Sequence, residues 1–259
     1  MDVVRVPVPT ETRTPDGLTN AYLLGHDSTL LIDPAARAPE LDELVEERNV
    51  EHVLATHTHR DHVGALAEYA EESDATVWAL RAFRDRFRET TGIEADCTLE
   101  DGTTISTGDG TVTVLETPGH APDHLSLVLD DGSIFCGDCA IAEGSVVVGA
   151  PTGDMHDYLD SLHRLRELDP SRLYPGHGPV VDRPKETLER LVSHRLERER
   201  RVFEAVEAGA ETIDSILGEA YVKDLSGVRD LARATVVAHL EKLAVDGRIE
   251  WDGKRAYPQ

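Results

Sequence analysis

The chain of 259 residues carries 50 acidic against 26 basic side chains, a formal net charge of -24, with 40% hydrophobic residues and a mean hydropathy of -0.33. This length can bury a sizeable core and predicts one large domain plus a small appendage. No apolar run approaches a membrane span, and no charged segment followed by an apolar one opens the chain, so membrane and secretory classes are excluded and a cytoplasmic protein is expected. Only four basic residues are lysines (Lys185, Lys223, Lys242 and Lys254), and the acids are spread along the whole chain. That pattern fits adaptation to high salt, where an acidic surface stays hydrated and self-repulsion is screened; a cationic partner is the other reading. The three cysteines, Cys97, Cys136 and Cys139, suit a reducing compartment and imply no disulfide framework.

In chain order, residues 3–8, 18–24 and 29–33 read as short strands, with Pro15-Asp16-Gly17 as a turn. The third strand ends in Asp33, followed by Pro34. A carboxylate there is either a helix cap or an acid that orients a metal-bound histidine. Residues 39–49 read as a helix and 51–55 as a buried strand. That strand runs into Thr56-His57-Thr58-His59-Arg60-Asp61-His62, an H-x-H-x-D-H cluster. Apolar residues at helical spacing follow over 63–72, so the cluster sits where a strand hands over to a helix. The turning backbone there lets side chains two and three apart point at one spot. Imidazoles suit Zn²⁺, Fe and related divalent ions, and the carboxylate adds charge and oxygen affinity.

Residues 76–79 read as a strand and 80–90 as a helix whose Arg81, Arg84, Arg86 and Arg88 form a solvated outer face. From Thr103 the period switches to two. Residues 103–107, 111–117, 125–129 and 133–136 alternate or run apolar, and Asp130-Asp131-Gly132 is a hairpin signal. Two further candidate ligands stand at the ends of these strands: His120 in Thr117-Pro118-Gly119-His120, and Asp138 in Phe135-Cys136-Gly137-Asp138. Cys136 and Cys139 are not read as a redox or zinc C-x-x-C, because they follow a strand and lack a second pair. Residues 154–168 read as an amphipathic helix and 172–175 as a strand end. Gly176-His177-Gly178-Pro179 comes next, its glycines letting the backbone pack close to a metal. A helix over 184–208 carries His194.

The ordered set His57, His59, Asp61, His62, His120, Asp138 and His177 resembles the metallo-β-lactamase fold of binuclear metallohydrolases. The resemblance implies an α/β protein, a four-layer αββα sandwich over about residues 3–180 with two metals at the sheet edges. Carried over residue by residue, it implies two Zn ions, other divalent metals being alternatives. His57, His59 and His120 would hold the first metal, Asp61, His62 and His177 the second, and Asp138 would bridge. Asp61 and Asp138 would be the catalytic carboxylates, Asp61 also handling a proton. Asp33 matches the family's aspartate that orients a ligand, while His124 and His194 would support ligands or substrate, or simply make structural hydrogen bonds. No ligand cysteine is present, which points away from antibiotic hydrolysis.

Asn20-Ala-Tyr22, Thr117-Pro-Gly-His-Ala-Pro-Asp-His124, Gly137-Asp-Cys139, Tyr174-Pro-Gly-His-Gly-Pro179 and Ser193-His194-Arg195 narrow the resemblance to the β-lactamase-like protein 2 subfamily. It implies endonuclease activity on single-stranded RNA and a C-terminal winged-helix domain. Residues 1–198 would then be catalytic and 199–259 winged-helix-like. Independently, 212–221 and 228–246 read as helices, and 248–257 as a hairpin turning at Asp252-Gly253, with Trp251 and Tyr257 packing it. Residues 200–259 hold nine basic and eleven acidic side chains against 17 and 39 in 1–199, so the tail is spared most of the acidity. Near-neutrality permits a positive patch for nucleic acid and equally a lid over the cleft. Two cations close together lower the pKa of a shared water and polarise a scissile carbonyl or phosphoryl oxygen, so no protein nucleophile is needed. A small thioester is therefore the alternative substrate, and a nucleic-acid-binding module with structural metals a third reading, disfavoured because a structural site closes at four ligands.

Overall fold

Two sheets carry the alternation expected from the sequence in the computed structural model, which describes residues 1–14, 16–221 and 225–259. The first has β1 (Val3–Pro9), β2 (Leu18–Leu24), β3 (Thr29–Ile32), β4 (Val50–Leu54), β5 (Thr76–Leu80) and β6 (Cys97–Leu99) in that order, antiparallel over β1–β3 and parallel onward. The second has β7 (Thr104–Thr107), β8 (Gly110–Glu116), β9 (Leu125–Leu129), β10 (Ile134–Gly137) and β11 (Leu173–Pro175), antiparallel except for β10–β11. Helices α1 (Pro39–Glu47), α2 (Arg60–Val63), α3 (Leu66–Ser73) and α4 (Arg84–Thr91) go with the first sheet. Helices α5 (Met155–Glu167) and α6 (Pro184–Glu207) cover the second.

Successive strand side chains point to opposite faces, so each strand feeds two cores. In β2, Ala21 and Leu23 join Leu41, Leu66 and Tyr69 of the helices, whereas Tyr22 and Leu24 face inward. The inward set from the first sheet (Leu30, Ile32, Leu54, Leu80) meets Val114, Leu127 and Phe135 of the second. The other face of the second sheet packs on Tyr158, Leu162, Leu188 and Leu191. Helix, sheet, sheet and helix therefore stack as the expected αββα sandwich.

Local departures from the sequence reading have tertiary causes. The helix expected over 63–72 is split at Ala65, whose backbone leaves the helical region (φ -115, ψ 10) as its amide donates to the Pro34 carbonyl at 2.9 Å; at neighbouring Gly64 a Cβ would stand 2.3 Å from the Ala35 carbonyl oxygen. The helix expected over 80–90 opens as a 3₁₀ turn, Arg81–Phe83. Strand β6 has three residues and no local signature; it exists because it pairs with β5. Of the turn expected at Pro15-Asp16-Gly17, Pro15 lies outside the described residues.

Helix α6 continues unbroken through residue 198. Its last turns, α7 (Ile213–Ala220), α8 (Arg229–Val245) and the hairpin β12 (Ile249–Trp251) and β13 (Ala256–Pro258) enclose a separate core of Val202, Val206, Leu217, Val236, Leu240 and Ile249. Thr212 and Ser215 form a reciprocal capping box that starts α7. Trp251 packs against this core while Tyr257 stays exposed, so only one of the two aromatics packs the hairpin. Among the described residues no helix is long and apolar enough to cross a membrane.

Leu127 is fully buried between the sheets. Leu127→Ala is expected to cost about 2–5 kcal/mol, read as a lower denaturant midpoint with an unchanged slope.

Candidate metal centre

The loops that follow β3, β4, β8, β10 and β11 converge at one rim of the sandwich. His57 Nε2 and His120 Nε2 each lie 2.9 Å from His59 Nδ1, so three ring nitrogens crowd one point. A neutral imidazole nitrogen carries at most one proton, and His59 Nδ1 would have to serve two partners at once. One cation accepting all three lone pairs resolves the crowding. Beside this triad, His62, His177 and Asp61 bring their ligand atoms together, as do His57, His62 and Asp138. Asp138 reaches toward both groups: Oδ2 lies 3.5 Å from His120 Nε2 and 3.4 Å from His177 Nε2, and Oδ1 lies 3.7 Å from His62 Nε2.

Two observations test whether a metal fits. His62 Nε2 and Asp138 Oδ1 are buried with no hydrogen-bond partner, which is costly for strong polar groups unless an ion engages them. A Cβ at Gly176 would come within 2.5 Å of Asp138 Oδ1 and 2.7 Å of His62 Cε1, so a side chain there would crowd both donors. The donor set of nitrogen and carboxylate oxygen suits Zn²⁺ and related divalent ions.

The far nitrogen of most of these rings is fixed from outside. His62 Nδ1 lies 2.9 Å from Asp33 Oδ2, His120 Nδ1 2.7 Å from the Val147 carbonyl, and His177 Nδ1 2.8 Å from the Leu18 carbonyl. A proton on each Nδ1 leaves the Nε2 lone pair free for a cation. Asp33, held at φ +51, also accepts from the Thr56 amide and hydroxyl at 2.6 and 2.8 Å. Of the two sequence readings of Asp33, the structure realises the one that orients a histidine.

Charge sorts the histidines into two kinds. Burial, then neighbouring imidazoles, hold His57 well below its ordinary pKa and His59 at about 4. Burial also lowers His120, against the pull of Asp138. At His62 and His177 burial again opposes the charge, but Asp33 and Asp138 respectively outweigh it, raising His62 and placing His177 at about 9. Asp138 is held well below the carboxylate range: burial pushes it up, and His62, His177 and His120 together overcome that.

The sequence signature of the Metallo-beta-lactamase superfamily matches residues 14–177. The chain belongs to the metallo-beta-lactamase superfamily. It is 31% identical over 248 residues to a beta-lactamase-like protein 2 homolog of Caenorhabditis elegans, covering 90% of this chain and 80% of that one. It is also 31% identical over 193 residues to a thioesterase of Emericella nidulans, covering 71% of this chain and 53% of that one, so it spans about half of that relative. A crystal structure of a metallo-beta-lactamase family protein from Thermus thermophilus superposes with a TM-score of 0.80 at 24% identity, covering 99% of this chain and 98% of that one. The protein is a metal-dependent hydrolase of this superfamily.

In this metallo-beta-lactamase superfamily member, seven of the residues singled out from sequence lie together at the rim, and Asp33 stands behind them. His124 is fully buried, its ring 5.3 Å from that of His57 and 6.4 Å from that of His120, but both its nitrogens are engaged elsewhere. Its Nδ1 lies 2.9 Å from the Thr117 hydroxyl, and its Nε2 accepts from the Asp138 amide at 3.0 Å, so it seats the backbone of Asp138. His194 lies apart, exposed on α6 beside Arg195, Arg198 and Tyr221.

Three supporting residues escaped the sequence reading. Buried Asp123 accepts from the Thr58 amide and hydroxyl at 3.0 and 2.5 Å, fixing the residue between His57 and His59. Its position one residue before His124 in the Gly119–His124 turn was the available signal. Arg86 does not belong to a solvated face: its Nε lies 3.2 Å from Asp123 and donates to the Thr58 hydroxyl at 2.8 Å. Gly137, at φ +45, passes so close to His124 and Thr56 that a Cβ would meet them at 2.7 and 2.8 Å.

Asp33→Asn is expected to weaken divalent-metal affinity about 10–100-fold, measured by chelator competition. In protein stripped of metal, His59 and His124 (pushed by burial to about 3) bind fewer protons folded than unfolded below pH 6.5. Their contribution is lost as pH falls from about 6.5 toward 4, so calorimetric Tm should drop across that window. His177 acts oppositely, its contribution being lost as pH rises through about 9.

Proposed function

We propose that the protein is a binuclear zinc hydrolase that cleaves single-stranded RNA. His57, His59 and His120 would hold one ion, Asp61, His62 and His177 the other, with Asp138 between them. The observation that carries this reading is the position of the Asp138 carboxylate, facing both donor groups with an orphaned buried oxygen. When bound, the two ions supply Lewis acidity and an acidified water.

The protein's own residues do the rest. The centre opens into a cleft of about 370 Å³, which His59, Asp61, His120, Asp138 and His177 line from one side and Arg13 and Leu231 from another. Asp61 stands on the cleft wall, where its carboxylate would take a proton from the attacking water and pass it to the leaving oxygen. Arg13 and Arg60 supply the positive charge a phosphodiester requires. Residues 1–198 would form the catalytic domain and 199–259 a winged-helix-like domain, of which α8 places Leu231 in the cleft. The relationship to beta-lactamase-like protein 2 homologs over nine-tenths of the chain supports RNA as substrate.

One observation favours a second reading, a thioester hydrolase. Ile141, Val146, Val147 and Leu231 give the cleft an apolar wall suited to an acyl chain, and a thioesterase is among the relatives. Hydrolysis of a fluorescent single-stranded RNA and of an acyl thioester, assayed side by side, separates the two. RNA cleavage that falls at least about 10³-fold in Asp138→Ala, without thioester turnover, is the expected result. Thioester turnover alone would overturn it and recast α8 as a lid.

A further inference from the structure

A second depression, of about 300 Å³, adjoins the cleft and shares Arg13, Val146, Val147 and Leu231 with it. It is lined further by His194, Arg195, Arg198 and Tyr221, and among the described residues no Asp or Glu lines it. That is unexpected in a chain with 50 acidic residues among 259.

Arg195 is the anchor. It is only 3% exposed, its Nη2 donates to the Val146 carbonyl at 2.5 Å, and its Nε is buried with no hydrogen-bond partner. The Arg195 guanidinium also lies 5.1 Å from the centroid of the Tyr158 ring, which offsets its charge in part; among the described residues no carboxylate pairs with it, and the orphaned N–H adds a desolvation cost. Arg198 lies one helical turn on, its guanidinium 3.5 Å from the centroid of the Tyr221 ring. Burial first, then the charges of Arg201 and Arg195, work against the charge on Arg198 and hold its pKa below the ordinary value despite Tyr221. Arg13, at the boundary between cleft and depression, pairs with Asp230 at 2.5 Å, whereas among the described residues no carboxylate pairs with Arg195 or Arg198.

We infer that this depression is an anion subsite that takes a phosphate of the substrate outside the scissile bond. Arginine suits the role because its planar fork meets phosphate oxygens in pairs. Partial burial suits it too: exposed ion pairs fade at high ionic strength, whereas a desolvated arginine keeps much of its attraction. The subsite deepens the hydrolase reading, and on the RNA reading the phosphate is that of a neighbouring nucleotide. A phosphate-bearing thioester presents the same chemistry.

The test compares wild type with Arg198→Met and Arg198→Lys at fixed ionic strength, using single-stranded RNA and the small diester bis(4-nitrophenyl) phosphate. Leu196→Ala, exposed on the same helix and outside the depression, is the control for folding and should match wild type on both. Arg198→Met should raise KM for RNA about tenfold relative to the small diester, with kcat for RNA within about twofold, and Arg198→Lys should recover part of the loss. An equal change on both substrates, or none, would overturn the subsite. If wild type leaves RNA intact but turns over thioesters, the RNA reading fails and the subsite is read differently. Arg198→Met should then raise KM about tenfold for an acyl-coenzyme A over the same acyl group on N-acetylcysteamine, which lacks phosphate. No preference between these two thioesters in wild type would overturn the subsite as well.

Discussion

The rim of the sandwich depends on an electrostatic demand: the nitrogens of five histidines and the Asp138 carboxylate, buried or half-buried, gather within a few ångströms with too few protons to satisfy them. His57, His59 and His120 are held neutral by burial and by one another, while His62 and His177 are drawn toward protonation by Asp33 and Asp138. A divalent cation would accept the lone pairs that the available protons leave unmatched. The surrounding fold can be read as the means of holding it. Asp33 and Asp123 lock the two threonines of the His57–His62 loop, Thr56 and Thr58, and His124 seats Asp138 from behind. Close backbone passages at Gly64, Gly137 and Gly176 leave no space for a side chain.

The same constraint explains how the C-terminal segment is tied to the chemistry. His120 leans on the Val147 carbonyl, so the segment 141–147 must be fixed. Helix α6 fixes it with two arginines: Arg190 donates to the carbonyls of Ile141, Ala142 and Gly144, and Arg195 to that of Val146. The same helix runs on into the C-terminal core, where buried Glu199 meets Lys242 of α8 at 3.1 Å. Arg13, reaching from the loop after β1 to the Gly227 carbonyl and Asp230, closes the other side. The C-terminal elements are thus coupled to a metal-site histidine through a short chain of hydrogen bonds.

Charge distribution separates two scales in this protein. A net charge of -24 spread over the surface governs solvation and repels anions at long range. Within a few ångströms the balance reverses, because Arg13, Arg195 and Arg198 gather beside the cleft. Screening removes the first effect more readily than the second, so on the proposed reading recognition of an anionic substrate would rest on Arg195 and Arg198.

The sequence by itself determined the candidate donor set and, through the resemblance it carries, the architecture. The H-x-H-x-D-H run, His120, Asp138 and His177 were legible because each stands at the end of a strand whose apolar pattern is local. The αββα sandwich was legible only through the family resemblance that these residues carry; the apolar patterning gave separate strands and helices but not how they stack. Tertiary structure decided what depends on distance across the chain. Asp123 and Arg86 look like surface residues until folding brings Thr58 between them. Strand β6 has no signature because its partner supplies its hydrogen bonds. The helix expected over 63–72 breaks at Ala65, because folding brings the Pro34 carbonyl within reach of its amide. His124 and His194 looked alike in sequence, and only packing seated one behind Asp138 and left the other on an exposed face of α6. The depression around Arg195, which no Asp or Glu lines among the described residues, is likewise invisible in a chain so acidic, since α6, α8 and the loops beside them build it together.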